Sequence, residues 1–285
     1  MINPETNHST QQADLPPITP ETEAKEAALK QLIAGYASLA VAYSGGVDSS
    51  YLADVAHEVL GVNAWMVLAD SPSIPRDEVR EATALAAARG WRLSVIQTRE
   101  FEMEEFLSND GRRCYFCKSE LFAQMDAFAR EHGIAVLAYG EIADDALDPT
   151  RLGARAAQER QVVAPLAAAG LSKGEIRVLS HRRGLPTWNK ASFACLSSRF
   201  PKGTRLDVQE MLKVERAEQV LRRLGFRQYR ARHHGDICRI EIDPQDFSRI
   251  LNEQARAELL NALQKVGYRY VTLDLAGYRT GSTAT

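Results

Sequence analysis

Seven consecutive residues, Ser44-Gly45-Gly46-Val47-Asp48-Ser49-Ser50, carry the densest chemical signal in this 285-residue chain. They follow a short apolar run, Leu39 to Tyr43, and precede Leu52, Val55, Ala56, Val59 and Leu60 at helical spacing. A strand, a glycine-rich turn and a helix in that order make an anion cradle. The two glycines let backbone N–H groups approach a phosphate, and the helix start adds unsatisfied donors and a positive dipole end. Ser44, Ser49 and Ser50 add hydroxyls, and Asp48 can hold a magnesium ion against phosphate oxygens. The loop differs from a Walker A motif: no Gly-Lys-Ser/Thr follows, so it contains no lysine to reach a terminal phosphate.

The second chemical signal is the cysteines at 114, 117, 195 and 238. Four in this length are too sparse for a disulfide scaffold. Cys114 and Cys117 form a Cys-x-x-Cys pair at the start of a helix, which can chelate zinc, ligate an iron–sulfur cluster or cycle as a dithiol. Arg112, Arg113 and Lys118 around them are expected to favour thiolate. Cys195 lies in a Ser-, Pro- and Gly-marked loop between Lys190 and Thr204, flanked by the cations Lys190 and Arg199. Cys238, within the apolar run Ile237 to Ile240, reads as a core residue. A zinc site using all four stays open, although Cys195 and Cys238 lack a second paired spacing.

These residues need a scaffold, and the periodicity supplies one. Strand-like runs at Leu39–Tyr43, Ala64–Ala69, Leu93–Gln97 and Ile134–Tyr139, with a further candidate at Val162–Leu166, alternate with amphipathic helices. That pattern predicts an α/β fold, a parallel sheet with helices on both faces. After about Gly203 it changes to helix (Val208–Leu224), two strands (Gln228–His233, Cys238–Ile242), helix (Phe247–Val266) and strand (Tyr268–Leu273). The expected organisation is therefore an α/β domain over 21–203 and a small α+β domain over 204–279. Residues 1–20, rich in Pro, Thr and Gln, read as a disordered tail, and 280–285 as a flexible one.

Composition narrows the function classes. The net charge of -2, from 35 Lys and Arg against 37 Asp and Glu, argues against a protein devoted to gripping nucleic-acid backbones. The one basic cluster is Arg222, Arg223, Arg227, Arg230 and Arg232. No apolar run approaches the roughly eighteen residues of a membrane span, and the first residues lack a signal-peptide layout. The expected location is the cytoplasm, where thiols stay reduced.

The loop resembles that of the PP-loop ATP pyrophosphatases, which split ATP to AMP and pyrophosphate while activating a carbonyl or carboxylate. Five further segments narrow the resemblance: Ala69-Asp-Ser-Pro-Ser, Arg113-Cys-Tyr-Phe-Cys-Lys, Gly184-Leu-Pro-Thr-Trp, Ala194-Cys-Leu-Ser-Ser-Arg-Phe-Pro and Arg232-His-His-Gly-Asp. Together they are similar to the LarE family of ATP-dependent sacrificial sulfur transferases. The resemblance implies that ATP adenylates a carboxylate of pyridinium-3,5-biscarboxylic acid mononucleotide. Cys195 then attacks, and the carboxylate becomes a thiocarboxylate of the nickel-pincer cofactor precursor. It further implies that Ser44, Gly45, Gly46, Asp48, Ser49, Ser50, Asp70, Ser71 and Gly140 hold ATP. Arg199, Arg205, Arg230 and Arg232 are candidates for the anionic groups of the nucleotide. Family members with three cysteines at positions like Cys114, Cys117 and Cys195 are associated with a 4Fe–4S cluster, from which the sulfur can come instead. The family forms a homo-hexamer. Two departures stand out, Ile142 where an asparagine is expected and Lys202 where a tyrosine is usual; Arg151 is a further candidate contact. The rival reading is a tRNA thiolase of the same superfamily.

Overall fold

The computed structural model describes residues 15–146, 152–191 and 194–279. In chain order these form α1 (Pro20–Ala34), β1 (Leu39–Ala42), α2 (Val47–Leu60), β2 (Ala64–Asp70), α3 (Arg76–Ala88), β3 (Arg92–Gln97), α4 (Glu104–Leu107), α5 (Arg113–His132) and β4 (Val136–Tyr139). The short helices α6 (Ala143–Ala146), α7 (Leu152–Glu159) and α8 (Pro165–Ala168) lead to α9 (Lys173–Arg182). The last part comprises α10 (Val208–Arg223), β5 (Tyr229–His234), β6 (Ile237–Ile242), α11 (Phe247–Leu251), α12 (Glu253–Val266) and β7 (Tyr270–Leu273). Most of the expected tail over 1–20, the tail at 280–285 and Arg151 lie outside the described residues.

The first sheet is parallel, in the order β3-β2-β1-β4. Alternate residues of β1 feed two different cores, which is why the strand is apolar throughout. Leu39 and Val41 pack with Leu52 and Val55 of α2 and Ile176 and Leu179 of α9. Ala40 instead joins Phe122 and Met125 of α5. Helices therefore cover both faces. The strand order reverses between β1 and β4, so the loops that leave their C-terminal ends diverge. That is where an open α/β sheet forms its crevice.

Two expectations need correction. Val162–Leu166 is not a strand: Val163 makes an isolated bridge to Ala138, and Pro165 then opens α8. Proline lacks the N–H a strand would need and suits a helix start. The helix expected over Phe247–Val266 is broken at Asn252, which adopts φ -60° and ψ 132° and caps α12 through Gln254 and Ala255 N–H.

The second sheet, β5-β6-β7, pairs β5 and β6 antiparallel and β6 and β7 parallel, with α10 and α12 packed on it through Leu221, Leu259 and Leu263. A further small core, including Phe106, Leu196, Phe200 and Met211, joins residues on both sides of Gly203. It anchors the segment that carries Cys195.

A charged network staples α9 to α1 and α2. Arg183 donates to Asp54 at 2.9 Å and Glu26 at 3.3 Å and also pairs with Glu58. Burial pushes the Glu26 carboxyl up, but Arg182 and Arg183 outweigh it and hold the group below its usual 4.5. A carboxylate depressed on folding stabilises the protein above its unfolded pKa and loses that contribution as pH falls through the folded value. Arg183→Ala should therefore destabilise by about 2–3 kcal/mol at pH 7, since Asp54 and Glu26 keep other partners. Urea titrations should show that penalty shrinking as the pH drops below 4.5. A pH-independent difference would contradict this.

Candidate active site

The crevice at the β1–β4 switch is a cavity of about 750 Å³. Ser44, Gly46, Asp48 and Ser49 line it from the phosphate loop, Ser71 from the end of β2, and Gly140 from the end of β4. Cys114, Cys117 and Cys195 line the same cavity. A phosphate loop and three thiols thus face one space.

The loop is built to receive an anion. Gly46 caps α2 with no side-chain hydrogen bond, leaving the first-turn N–H groups without a side-chain acceptor. Ser49 Oγ accepts from Ser44 N–H at 3.2 Å and lies 3.0 Å from Ser44 Oγ, which fixes the turn. Gly45 has φ +72°, and a Cβ there would lie 2.7 Å from Ala82 Cβ. At Gly140 a Cβ would come within 3.0 Å of Ser49 N. Both glycines therefore permit close approach, one to α3 and one to the loop itself. Gly45 and the fully buried Ser50 support the loop from behind without lining the cavity.

Two polar groups absent from the motif also line this space. Lys173, the first residue of α9, donates to both oxygens of Asp48 at 2.8 and 2.6 Å. Glu100 is 1% exposed. Its Oε1 accepts from Ser71 and, at 3.2 Å, from Ser73, whereas its Oε2 has no hydrogen-bond partner. Neither is near its partner in sequence, so no local pattern could have found them. Asp70, expected to meet the nucleotide, is not on the cavity wall: it is bonded to Arg76 and to Gln97 and holds the end of β2.

The thiols differ in environment. Cys114 is exposed, Cys117 and Cys195 are half-buried, and Cys238 is fully buried among the residues of the second core. The core reading of Cys238 excludes a four-cysteine zinc site. Burial pushes the Cys117 thiol well above its usual range, and the charges of Cys195, Glu100 and Cys114 push it further. At Cys117 this corrects the thiolate expected from Arg112, Arg113 and Lys118. Arg112 pairs with Asp110 and Arg113 donates to Asn109 and the Ser197 carbonyl, while the pull of Lys118 on Cys117 is outweighed by burial. Among the described residues no three His, Cys, Asp or Glu side chains are gathered as a ready site for a metal ion.

None of the four candidate arginines lines the cavity. Arg199 is fully buried, paired with Glu218 at 2.8 and 2.9 Å, and donates to the carbonyls of Ala194 and Cys195 at 2.6 and 3.1 Å. Arg232 donates to the Ser198 carbonyl at 2.7 Å and to Glu241 at 2.9 Å. These two clamp the backbone that presents Cys195, and Leu196 N–H pins the same loop to the Ser73 carbonyl at 2.8 Å. Arg205 pairs with Glu104 on the surface. Arg230 bonds Tyr278 at 3.0 Å; burial and then the neighbouring Arg199 and Arg232 lower its affinity for its proton against the pull of Glu218 and Tyr278. Of the two departures, Ile142 is buried in the main core, and Lys202 lies against Gly111.

No helix among the described residues is long and apolar enough to cross a membrane. No protein-family model matches the chain. It is 40% identical over 259 residues to an uncharacterized protein of Synechocystis sp., covering 91% of this chain and 96% of that one. It is 33% identical over 261 residues to the pyridinium-3,5-bisthiocarboxylic acid mononucleotide synthase of Lactiplantibacillus plantarum, covering 90% and 92%. An uncharacterized protein of Methanocaldococcus jannaschii is 26% identical over 240 residues, covering 84% and 90%.

Proposed function

The chain belongs to the family of the pyridinium-3,5-bisthiocarboxylic acid mononucleotide synthase, and from that premise we propose that it is an ATP-dependent sulfur transferase acting on a pyridinium carboxylate mononucleotide. The observation that carries the reading is the shared cavity, with a phosphate loop on one wall and Cys195 on another.

A carboxylate resists nucleophiles until one oxygen becomes a leaving group. The substrate carboxylate attacks the α-phosphorus of ATP, and pyrophosphate leaves into the loop, where Ser44, Ser49 and the first N–H groups of α2 receive it. Asp48 would hold a magnesium ion, which would supply positive charge to the departing pyrophosphate. Ser71 and Gly140 bound the remaining nucleotide. The Cys195 thiolate then attacks the acyl adenylate, forms a thioester and expels AMP. Cleavage of the Cys195 Cβ–Sγ bond, with loss of the Cα proton, leaves the thiocarboxylate on the nucleotide and dehydroalanine in the chain.

Cys114, Cys117 and Cys195 are three soft donors around one cavity, the set a 4Fe–4S cluster takes, and a cluster spans more space than a single ion. Such a cluster would supply an external sulfide in place of the Cys195 sulfur. Arg230, beside Tyr278, is the proposed contact for the anionic end of a nucleotide reaching beyond the cavity, with Arg199 and Arg232 holding the Cys195 loop next to it. Burial and the neighbouring Arg199 weaken the hold of Arg230 on its proton, and an anion beside it would offset both. The protein is proposed to act in the cytoplasm as a homo-oligomer, hexameric by family resemblance.

Exchange of labelled pyrophosphate into ATP tests the activation step. The pyridinium biscarboxylate mononucleotide should stimulate exchange at least tenfold. Stimulation by tRNA, and none by the nucleotide, would replace this reading with tRNA thiolation.

A further inference from the structure

We propose that Lys173 is the pyrophosphate-binding cation that the phosphate loop lacks, held on Asp48 until ligand arrives and transferred to phosphate oxygens when magnesium takes that carboxylate. This rests on the ATP reading above and adds a residue and an order of events to it.

The loop offers N–H groups, hydroxyls and a helix dipole, but no full positive charge of its own. Inorganic pyrophosphate carries several negative charges, and one magnesium ion does not balance them. A lysine ammonium serves as a point charge for such a ligand. Lys173 lines the cavity beside Ser44, Gly46 and Asp48. Its ammonium already lies within 2.6–2.8 Å of the one carboxylate in the loop motif.

The backbone beneath it is fixed. Asp144 accepts from Lys173 N–H at 2.8 Å, and the Ser172–Glu175 capping box closes the first turn of α9. Only the side chain is left to move. A cation at a helix N-terminus opposes the macrodipole, so the position is favourable only while an anion faces it. Asp48 is that anion. Magnesium prefers carboxylate oxygen to any other protein ligand in the loop, and its arrival displaces the ammonium. The charges stay balanced: the metal pairs with Asp48 and Lys173 pairs with phosphate.

The other cations of the cavity are placed differently. Lys190 is held by Glu78 at 2.6 Å and Glu81 at 3.1 Å, and Lys118 lies 4.7 Å above the Tyr139 ring. Lys173 is bonded to a carboxylate that has another claimant.

The test is calorimetric binding of inorganic pyrophosphate to the full chain, with and without magnesium. Lys173→Met should weaken magnesium pyrophosphate about 10- to 100-fold, and Lys173→Arg should recover part of the loss. Asp48→Asn should strengthen metal-free pyrophosphate, because it frees the ammonium, and the gain should vanish in the Asp48→Asn, Lys173→Met double variant. Unchanged or tighter binding by folded Lys173→Met, or a gain that survives in the double variant, would overturn the proposal. Failure of the unsubstituted chain to bind magnesium pyrophosphate would overturn the ATP reading itself.

Discussion

Cys195→Ala should abolish thiocarboxylate formation, by at least about 1,000-fold, while substrate-dependent pyrophosphate release survives for a single turnover. The two halves of the reaction use different parts of the cavity, and only the second needs a sulfur nucleophile. The backbone at this position does not depend on the side chain. Arg199 holds the carbonyls of residues 194 and 195, Arg232 holds that of Ser198, and Leu196 N–H is tied to Ser73. The side chain is half-buried, so its loss should change stability by less than about 1 kcal/mol. Rapid-quench measurement should find one equivalent of pyrophosphate per site, followed by slow release as the acyl adenylate hydrolyses. Undiminished thiocarboxylate production would remove Cys195 from the reaction.

Gly45→Ala is the second large effect, and it acts through shape. At φ +72° an L-residue is strained by about 1–2 kcal/mol. The new methyl would also lie 2.7 Å from Ala82 Cβ. Ala82 is 1% exposed in α3, packed on the sheet, and has no space to yield. The loop must move instead, and the donors aimed at pyrophosphate move with it. Nucleotide affinity should fall about 100-fold, since a displacement of about an ångström at such a site has effects of that order. Adding Ala82→Gly should restore part of the affinity by removing the overlap, though not the strain at φ. Equal affinities in all three proteins would show that this glycine has no bearing on the loop.

Local features of the site were legible in the sequence; features made by folding were not. The phosphate loop is contiguous and flanked by a strand and a helix, so Ser44, Asp48 and Ser49 could be named as they stand. The strand–helix alternation gave the parallel sheet because buried parallel strands are apolar on both faces. Lys173 and Glu100 escaped because nothing local distinguishes a cavity lysine from a surface one. The pairing of Lys173 with Asp48 crosses 125 residues. The arginines were read as free cations, yet Arg199 and Arg232 are buried clamps of the Cys195 loop. The thiolate expected at Cys117 failed because folding buries that sulfur, and Lys118 nearby does not offset the lost hydration. Periodicity also overran two local signals, Pro165 in a supposed strand and Asn252 in a supposed long helix.

The most direct measurement is anaerobic mass spectrometry of both protein and nucleotide after incubation with ATP, magnesium and pyridinium-3,5-biscarboxylic acid mononucleotide. The expected result is a nucleotide in which sulfur replaces a carboxylate oxygen, with AMP and pyrophosphate formed in equal amount to the sulfur transferred. In protein without a cluster, the chain should lose the mass of hydrogen sulfide at Cys195. ATP consumption with no sulfur on the nucleotide would contradict the assignment at its centre.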